Sequence, residues 1–320
     1  MTRLRRMLAA AAAIAGSLGA IHEAAAQAYP ARPIQVLVPF SAGNVIDLLA
    51  RGLGEGLAQA TGGSVLVVNR EGASGIIMMS ALASSRPDGY TLGFAPQGQL
   101  TIQPHLKADL PYTAESITPI CQTFENQFAV VVGPNSPFAD FKSLIEVAKR
   151  DPGKFTWGDS GVATVPNLQM YSLLQSAAIR MEHTPYRNYP QLLQDVLTGR
   201  LDLAAPSIGS FNGQNLRVLA ILDDRRSPLF PDVPTVTEFG YSVSMPGFGG
   251  LYAPKGVPAD ILSKLEGGCA KAVESASYRT ISERSGSPIR HLDRAAFARR
   301  LAEDSRAKAE LIRTLNLKVD

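Results

Sequence analysis

Apolar and polar positions follow two different periods along the chain. Residues 34–40 form a short apolar run rich in β-branched side chains, which predicts a buried strand. Leu49, Leu53 and Leu57 then recur at every fourth position, which is the spacing of a core-facing helix stripe. Small residues fill the interval between these two segments. The pattern therefore predicts a strand, a short loop and a helix over residues 34–57.

The same order of segments recurs twice. An apolar run at 64–68 leads through a loop at 69–75 into a helical segment at 76–82. Residues 155–158, 159–164 and 167–178 again read as strand, small-residue loop and helix. Strands that alternate with helices predict an α/β fold, in which ligands bind beyond the carboxyl ends of the strands. Further predicted strands are 90–95, 128–132, 201–205 and 218–222, and further predicted helices are 138–150, 190–197 and 262–276.

The last helix is predicted to begin after a capping Asp293 and to run toward Leu315. Phe297 and Leu301 fall on its inward face. Asp304 and Lys308 are spaced as an i,i+4 ion pair, and we expect both on the solvent face.

The loop after the first predicted strand has the features of an anion site. A helix start leaves backbone N–H groups without intrahelical acceptors and carries a partial positive charge. The sequence from Ser41 to Asp47 contains no bulky side chain before Val45, so an anion can approach these groups. An ordinary strand-to-helix turn without a ligand fits the same residues. The loop alone leaves both interpretations open.

The first 28 residues have the organisation of a secretory signal peptide. Three arginines precede an alanine-rich apolar run, and Ala26 and Ala28 stand at the −3 and −1 positions of a cleavage site. The apolar run is shorter than the roughly 20 residues that a spanning helix needs. We therefore expect cleavage after Ala28 and export of the remaining 292 residues.

Charge gives little indication of a polyanionic partner. Residues 1–28 contain three arginines and one glutamate, so their removal leaves 28 basic and 27 acidic residues. A nucleic-acid or membrane-surface partner would favour a basic patch, and the sequence shows none. The mature length fits about two domains.

Cys121 and Cys269 are the only two cysteines in the sequence. An oxidising compartment permits a disulfide between them, whereas two buried free thiols remain the alternative.

Motifs for covalent or metal chemistry are weak. The segments around Ser74 and Ser160 lack the final glycine of a nucleophile elbow, and no phosphate-binding or dinucleotide fingerprint is present. His105, His183 and His291 are widely separated, so we predict no metal site, and we interpret His183 as structural. A secreted α/β hydrolase that uses Ser74 or Ser160 remains an alternative, because catalytic groups can come from distant segments.

Several short motifs, in order, resemble one family, the Bug-type extracytoplasmic solute receptors. These are the TctC-like binding components of tripartite tricarboxylate transporters. Each motif alone is weak, but the ordered set extends over nearly the whole mature chain. The motifs are Val38 to Gly43 with Asp47, Asn69-Arg70, Gly72 to Gly75, Pro87 to Leu92, Ser160-Gly161, Pro185 to Arg187, Gly199 to Asp202 and Pro231 to Thr235.

The resemblance implies a two-lobed periplasmic binding protein of type 2-like α/β fold, with a hinge between the lobes. It places residues 29–126 and 247–320 in lobe 1 and residues 127–246 in lobe 2. It implies a small carboxylate ligand and membrane transporter subunits as partners, with no cofactor, no nucleic acid and no enzymatic activity. We expect a periplasmic monomer. A sensory protein that reports the ligand to a membrane kinase is an alternative within the same fold.

The resemblance also implies which loops contact the ligand. The predicted ligand-binding residues are Ser41, Ala42, Gly43, Asn44, Asp47, Ser74, Gly75, Ile76, Gln97, Ser160, Val162, Ala163, Thr164, Tyr189 and Ser207. Asp47 has a second interpretation as a capping group behind the loop. The chain departs from the family pattern at Asn44 to Ile46, where glycines and a threonine are usual, and at Ile76, where a small or polar residue is common. Asn167 stands where histidine is common, and Pro206 replaces an acidic residue that some relatives have. We therefore expect a carboxylate with an apolar or aromatic body and not an amino acid.

Overall fold

Two β-sheets, each flanked by helices, organise the chain. The computed structural model describes residues 29–186, 188–211, 213–242 and 246–317, so the predicted signal peptide at 1–28 lies outside the described residues. Within those ranges, no helix combines the length and the apolar character needed to cross a bilayer. The predicted α/β architecture with two mixed sheets is confirmed.

The first sheet has six strands in the order β2-β1-β3-β10-β4-β11. β1 pairs in parallel with β2 and β3, whereas β10 lies antiparallel between β3 and β4. Strands from both ends of the chain therefore build this sheet. The strands are β1 (Ile34–Val38), β2 (Val65–Asn69), β3 (Thr91–Pro96), β4 (Ile117–Asn126), β10 (Gly247–Pro254) and β11 (Ile289–Leu292).

The second sheet has five strands in the order β7-β6-β8-β5-β9. β6 pairs in parallel with β7 and β8, and β5 lies antiparallel to β8 and β9. All five strands come from the middle of the chain. They are β5 (Ala129–Val132), β6 (Thr156–Asp159), β7 (Glu182–Pro185), β8 (Leu203–Ala204) and β9 (Arg217–Ile221).

We call the parts that carry these sheets the first and second lobe. The strands of the first sheet end at Asn126 and resume at Gly247, while those of the second lie between 129 and 221. The predicted lobe boundaries at 126/127 and 246/247 stay a prediction. The described α-helices are α1 (Val45–Thr61), α2 (Ile76–Ala83), α3 (Gly98–Thr101), α4 (Gln103–Leu106), α5 (Phe141–Arg150), α6 (Val165–Ala177), α7 (Tyr189–Leu197), α8 (Ala259–Ala272), α9 (Ala276–Arg284) and α10 (Arg294–Leu315).

Glycines allow strand β10 to lie in the middle of the first sheet. A Cβ atom at Gly249 would lie 2.4 Å from the carbonyl oxygen of Ala95, and one at Gly250 would lie 2.0 Å from that of Cys121. Such distances are far below a normal van der Waals contact. Glycine is therefore required where the neighbouring backbones approach this strand most closely.

Helix α10 extends from the core of the first lobe to that of the second. Phe297 and Leu301 pack in the first core, and Ile312 packs in the second. The capping role of Asp293 is confirmed, because its side chain accepts a hydrogen bond of 2.7 Å from the N–H of Ala296. The helix thus joins the two lobes through its apolar side chains.

The prediction that Asp304 and Lys308 lie on a solvent face is wrong. Both side chains are buried, and Lys308 Nζ lies 3.5 Å from Asp304 Oδ1. Helix α10 contacts β4 on one side and the short helices α3 and α4 on another, so the intervening face is also covered. Burial lowers the pKa of Lys308, although the Asp304 carboxylate opposes this shift.

The structure contains a disulfide between Cys121 on β4 and Cys269 on α8. Both cysteines are fully buried. The bond fixes helix α8 against the first sheet and closes a long loop of chain. A cross-link of this kind stabilises the fold mainly by restricting the unfolded chain.

Candidate functional site

A loop between β1 and α1 presents the start of a long helix to a cavity. We call residues 39–44 the first loop. Asn44 is extended, and its Oδ1 accepts a hydrogen bond of 2.9 Å from the N–H of Ile46. Gly43 has φ of +83°, a left-handed conformation that favours glycine. These features start the helix at Val45.

A buried carboxylate holds the first loop from behind. Asp47 Oδ2 accepts a hydrogen bond from the N–H of Gly43 at 2.9 Å, and Oδ1 accepts one from Asn69 Nδ2 at 2.9 Å. Arg51 donates to both oxygens, from Nε at 3.0 Å and from Nη2 at 2.9 Å. Burial alone would raise the pKa of Asp47, but the hydrogen bonds from Arg51, Gly43 and Asn69 give a net lowering. The carboxylate therefore supports the loop instead of facing the cavity.

The second lobe repeats this arrangement. We call residues 160–164 the second loop; it connects β6 to α6. Asp159 is fully buried, and its Oδ1 accepts a hydrogen bond of 2.8 Å from the N–H of Gly161. Its Oδ2 accepts one of 2.9 Å from Asn167 Nδ2, and Asn167 Oδ1 accepts one of 3.2 Å from the N–H of Ala163. A carboxylate and an amide thus fix the loop ahead of a 13-residue helix.

The starts of α1 and α6 meet at one cavity, to which both lobes contribute residues. Among the described residues that line it, none is a lysine, arginine, histidine, aspartate or glutamate. The polar groups are amides and hydroxyls, and the rest of the wall is largely apolar. The lining residues are Phe40, Asn44, Val45, Ile46, Pro96, Gly98, Gln99, Asn126, Phe128, Ser160, Ala163, Thr164, Val165, Pro166, Tyr189 and Ser207.

Tyr189 and Ser207 form a hydroxyl-bearing wall in the second lobe. Ser207 Oγ donates a hydrogen bond of 2.8 Å to Asn126 Oδ1. Burial raises the pKa of Tyr189 to about 12, although hydrogen bonds from the side chain of Ser160 and the backbone of Ser207 act in the opposite direction. The phenol is therefore neutral at physiological pH. This wall offers neutral hydrogen-bonding groups to a ligand.

A third loop, Gly72 to Gly75, lies between β2 and α2 in the first lobe and contacts the second lobe. Ser74 Oγ donates a hydrogen bond of 3.0 Å to the carbonyl oxygen of Val162 in the second loop. Ala73 and Ser74 have φ of +47° and +52°, which non-glycine residues seldom adopt. Gln99 and Gln103 stabilise this turn by donating from Nε2 to the carbonyl oxygen of Ser74, at 3.1 and 2.6 Å.

The structure distributes the predicted ligand residues over three adjoining cavities and their supports. The first group lines the cavity between the helix starts: Asn44, Ser160, Ala163, Thr164, Tyr189 and Ser207. Ser41, Ala42 and Gly43 line a neighbouring cavity that also borders α9. Ser74, Gly75 and Val162 line another beside Pro185 and Tyr186.

Three predicted residues lie apart from these cavities. Asp47 lies behind the first loop, as its alternative interpretation proposed. Gln97 is fully buried, and its Oε1 accepts a hydrogen bond from the N–H of Phe248 at 3.0 Å. Ile76 packs against the core of the first lobe. Their contact with a ligand stays a prediction, as it does for the residues that line the cavities.

Sequence reasoning missed several lining residues. Asn126 and Phe128 lie where the chain passes from the first sheet to the second, a segment predicted as a lobe crossing and not as a pocket wall. Phe40 was predicted only as the end of a strand. The sequence signal available for these three residues was their position next to a predicted loop or lobe crossing.

The cavity has the chemistry of a small anion site. Two helix starts supply backbone donors and partial positive charge, and no acidic side chain among the described lining residues opposes them. No cluster of metal-ligating side chains occurs within the described ranges. In the same ranges, no hydrogen bond joins Ser74 or Ser160 to a histidine.

Comparison with known proteins identifies one family over most of the chain. The model of the tripartite tricarboxylate transporter family receptor, TctC, matches residues 49–317. The protein BugT of Bordetella pertussis is 33% identical over 285 residues, which cover 86% of this chain and 86% of BugT. A UPF0065 protein of the same organism is 30% identical over 280 residues, covering 86% of this chain and 85% of that protein.

Solved structures show the same fold. A periplasmic transporter, 30% identical, superposes with a TM-score of 0.85 and covers 92% of this chain and 100% of its own. Rhodopseudomonas palustris Rpa4515, solved with adipate, gives a TM-score of 0.85 at 22% identity, over 91% of this chain and 99% of its own. MatC of the same organism, solved with malate, gives 0.81 at 22% identity, over 89% and 100%. The resemblance identified from the sequence motifs is confirmed, and the chain belongs to the TctC family of tripartite tricarboxylate transporter receptors.

Proposed function

We propose that this chain captures a small carboxylate in the cavity between its lobes and delivers it to the membrane subunits of a tripartite tricarboxylate-type transporter. The observation that carries the proposal is the meeting of two helix starts, one from each lobe, at a cavity whose described lining residues include no charged side chain. The protein acts outside the cytoplasm as a monomer and without a cofactor. It binds its ligand without changing it covalently.

Backbone donors at the two loops are sufficient for useful affinity. A hydrogen bond to a charged group contributes about 1.5–3 kcal/mol, and a helix end adds a few tenths to about 2 kcal/mol. Four or five such contacts, less the cost of ordering the ligand, reach the roughly −8 kcal/mol of a micromolar complex. A buried cation is therefore not needed. The description of the family and the adipate and malate of the two related structures fit a carboxylate ligand.

The side chains around the loops favour a ligand with an apolar or aromatic body. Phe40, Val45 and Ile46 face the cavity from the first lobe, and Phe128 and Val165 face it from the second. An ammonium group would require a carboxylate partner to offset its desolvation, and the described lining residues provide none. Adipate and benzoate are accordingly better probes than glutamate or aspartate.

A thermal-shift screen of the purified mature protein tests the proposal. Each carboxylate is paired with its neutral amide, so that adipate is compared with adipamide and benzoate with benzamide. A ligand at about 100 times its dissociation constant adds about 2.7 kcal/mol to the free energy of unfolding. We expect stabilisation by at least one acid and none by its amide. Equal responses to an acid and its amide would contradict anion capture.

A charge reversal at the first loop gives a sharper test. Asn44→Asp keeps an equally good helix cap but places a negative charge at the cavity. Asn188→Asp is the matched control, because Asn188 caps α7 in the same way through a hydrogen bond of 3.0 Å from Gln191 N–H. We expect the first variant to lose carboxylate affinity by tenfold or more and the control to keep it. Equal affinities in the two variants would contradict the placement of the anion.

Uptake by cells separates the proposed role from its alternatives. Deletion of the gene is expected to abolish high-affinity uptake of the bound acid. Unchanged uptake with a lost transcriptional response would favour a sensory protein. Ester hydrolysis by the purified protein, lost in Ser74→Ala or Ser160→Ala, would favour a hydrolase.

A further inference from the structure

A buried aspartate holds each of the two loops, but the basic residue paired with that aspartate differs between them. Behind the first loop, Asp47 is paired with Arg51, whose guanidinium is positive at every physiological pH. Behind the second loop, Asp159 is paired with His183, whose Nε2 lies 3.2 Å from Asp159 Oδ1. A histidine compensates a carboxylate only when its ring is protonated. The charge behind the second loop therefore depends on a titratable partner.

The His183 ring is enclosed on several sides. It packs against Trp157 with ring centroids 4.3 Å apart and ring planes inclined by 36°, and Tyr171 lies edge-on to it with centroids 6.0 Å apart. Only 12% of its side chain is exposed, and Asn167 Nδ2 lies 3.3 Å from the same Nε2. The ring is thus fixed in position next to the network that holds the second loop.

Within the described ranges, the titratable side chains in contact with this ring are Asp159 on β6 and Tyr171 on α6, and Glu182 precedes the histidine in its own strand. Burial, followed by the charges of Asp159 and Glu182, raises the pKa of Tyr171, so its phenol stays neutral. A histidine ring is the one group in this set whose kind changes charge between about pH 5 and 8.

We propose that Asp159 and His183 are positioning residues for the anion at the second loop, and that ligand binding there is coupled to protonation of His183. This inference rests on the proposed function. Asp159 fixes the N–H of Gly161 directly and that of Ala163 through Asn167. Its negative charge lies behind the loop that receives the ligand, and a protonated His183 offsets that charge. The bound anion in turn favours the proton on His183.

The coupling has a direction that can be measured. Charges separated by one loop interact weakly but measurably in the effective dielectric of a protein. We expect carboxylate affinity to rise by roughly three- to tenfold between about pH 8 and about pH 6. Benzoate remains ionised over this range, so its own titration does not contribute. His183→Gln keeps a neutral donor beside Asp159, and we expect its affinity to be independent of pH.

A ligand-free measurement tests the same coupling separately. In a ¹⁵N–¹H correlation spectrum, the Gly161 amide is expected to shift with the titration of His183 and to lose this response in His183→Gln. The Gly43 amide is the matched internal control, since it donates to a carboxylate paired with arginine. A Gly161 amide that shows no pH response between about 5.5 and 8 would overturn the inference.

Binding measurements with benzoate, adipate and malate distinguish a failure of the proposed coupling from a failure of the proposed function. Binding that is tight but independent of pH would overturn the coupling and leave the proposed function intact. Absence of binding by all three acids would count against the proposed function, and the Gly161 titration would still decide the positioning role. The double variant Asp159→Asn with Asn167→Asp moves the carboxylate to the other end of the same hydrogen bond. We expect it to restore the pH dependence that Asp159→Asn alone removes; failure of this rescue in a folded protein would overturn the inference.

Discussion

Removal of the charge at Asp47 is the most direct test of how the first loop is held. In Asp47→Asn, one oxygen that now accepts hydrogen bonds becomes an NH₂ group, which then faces a donor of Arg51 and that of either Gly43 or Asn69. At least two charge-assisted hydrogen bonds are lost, each contributing about 1.5–3 kcal/mol. Arg51 is 45% exposed and regains water, which offsets part of the loss. We expect the free energy of unfolding to fall by about 2–4 kcal/mol.

The pH dependence of this loss distinguishes a charge effect from a packing effect. The pKa of Asp47 is lowered on folding, so its carboxylate stabilises the fold above about pH 4, and this contribution is lost as the pH falls through the folded-state pKa. The difference between wild type and Asp47→Asn is therefore expected to shrink below about pH 4. Urea denaturation at neutral and acidic pH measures it.

A matched control comes from an exposed ion pair in the same lobe. Arg32 and Asp88 are joined at 2.8 Å, but their side chains are 59% and 37% exposed. Asp88→Asn is expected to cost less than about 1 kcal/mol, because exposed pairs contribute little. Equal losses in both variants, or a loss in Asp47→Asn that persists unchanged in acid, would refute the role assigned to Asp47.

Three further changes have expected outcomes. Replacing both Cys121 and Cys269 by serine is expected to lower the free energy of unfolding by about 4–5 kcal/mol in urea, as reduction of the wild type should. The pKa of Asp223 is raised to about 6, mainly by burial and secondly by a hydrogen bond with Asp224. Because the folded state holds this proton more tightly than the unfolded state, the stability that the proton provides is lost as the pH rises from about 4 to about 6. Asp223→Asn is expected to abolish this decline, which is on the order of 2–3 kcal/mol, and a decline of unchanged size would contradict the assignment. Ser74→Ala removes the hydrogen bond to Val162, and we expect carboxylate affinity to fall by roughly two- to tenfold. Ser84→Ala, which removes only a bond within a helix end, is the control for that variant in a titration of the bound acid.

Local sequence patterns predicted the parts of the fold that local chemistry decides. The two loops and their helices appear in the structure close to their predicted positions, because strand, small-residue loop and helix stripe are all encoded within about 25 residues. Strands β4, β10 and β11 of the first sheet were not predicted. β10 begins Gly247-Phe-Gly-Gly, which shows neither the strand nor the helix periodicity of apolar residues. Its glycines are needed because backbones from distant segments approach them closely. Pairing across such separations leaves no local signal.

The predicted site was limited in the same way. Loop residues next to a helix start were predictable, but the neighbours that complete the cavity were not, because Asn126 and Phe128 reach it only through the passage between the sheets. Asp304 and Lys308 were misplaced for a related reason. An i,i+4 charge pair is typical of a solvent face, and only the packing of α10 against β4 and α3 shows that this face is covered.

Recognition of a carboxylate has two parts: main-chain donors bind its charge, and side chains contact the rest of the ligand. Backbone N–H groups at the two loops cannot distinguish one carboxylate from another, because every carboxylate presents the same two oxygens to them. Selectivity must therefore come from the side chains that meet the rest of the ligand. The candidates among the residues that line the cavity are Ile46, Phe128 and Val165, which are apolar, and Asn126 and Ser207, which are polar. Substitutions among these five residues should change which acid is bound, whereas changes at Asp47 or Asp159 should weaken all acids alike. The residues that hold the loops and the residues that select the ligand can therefore vary independently.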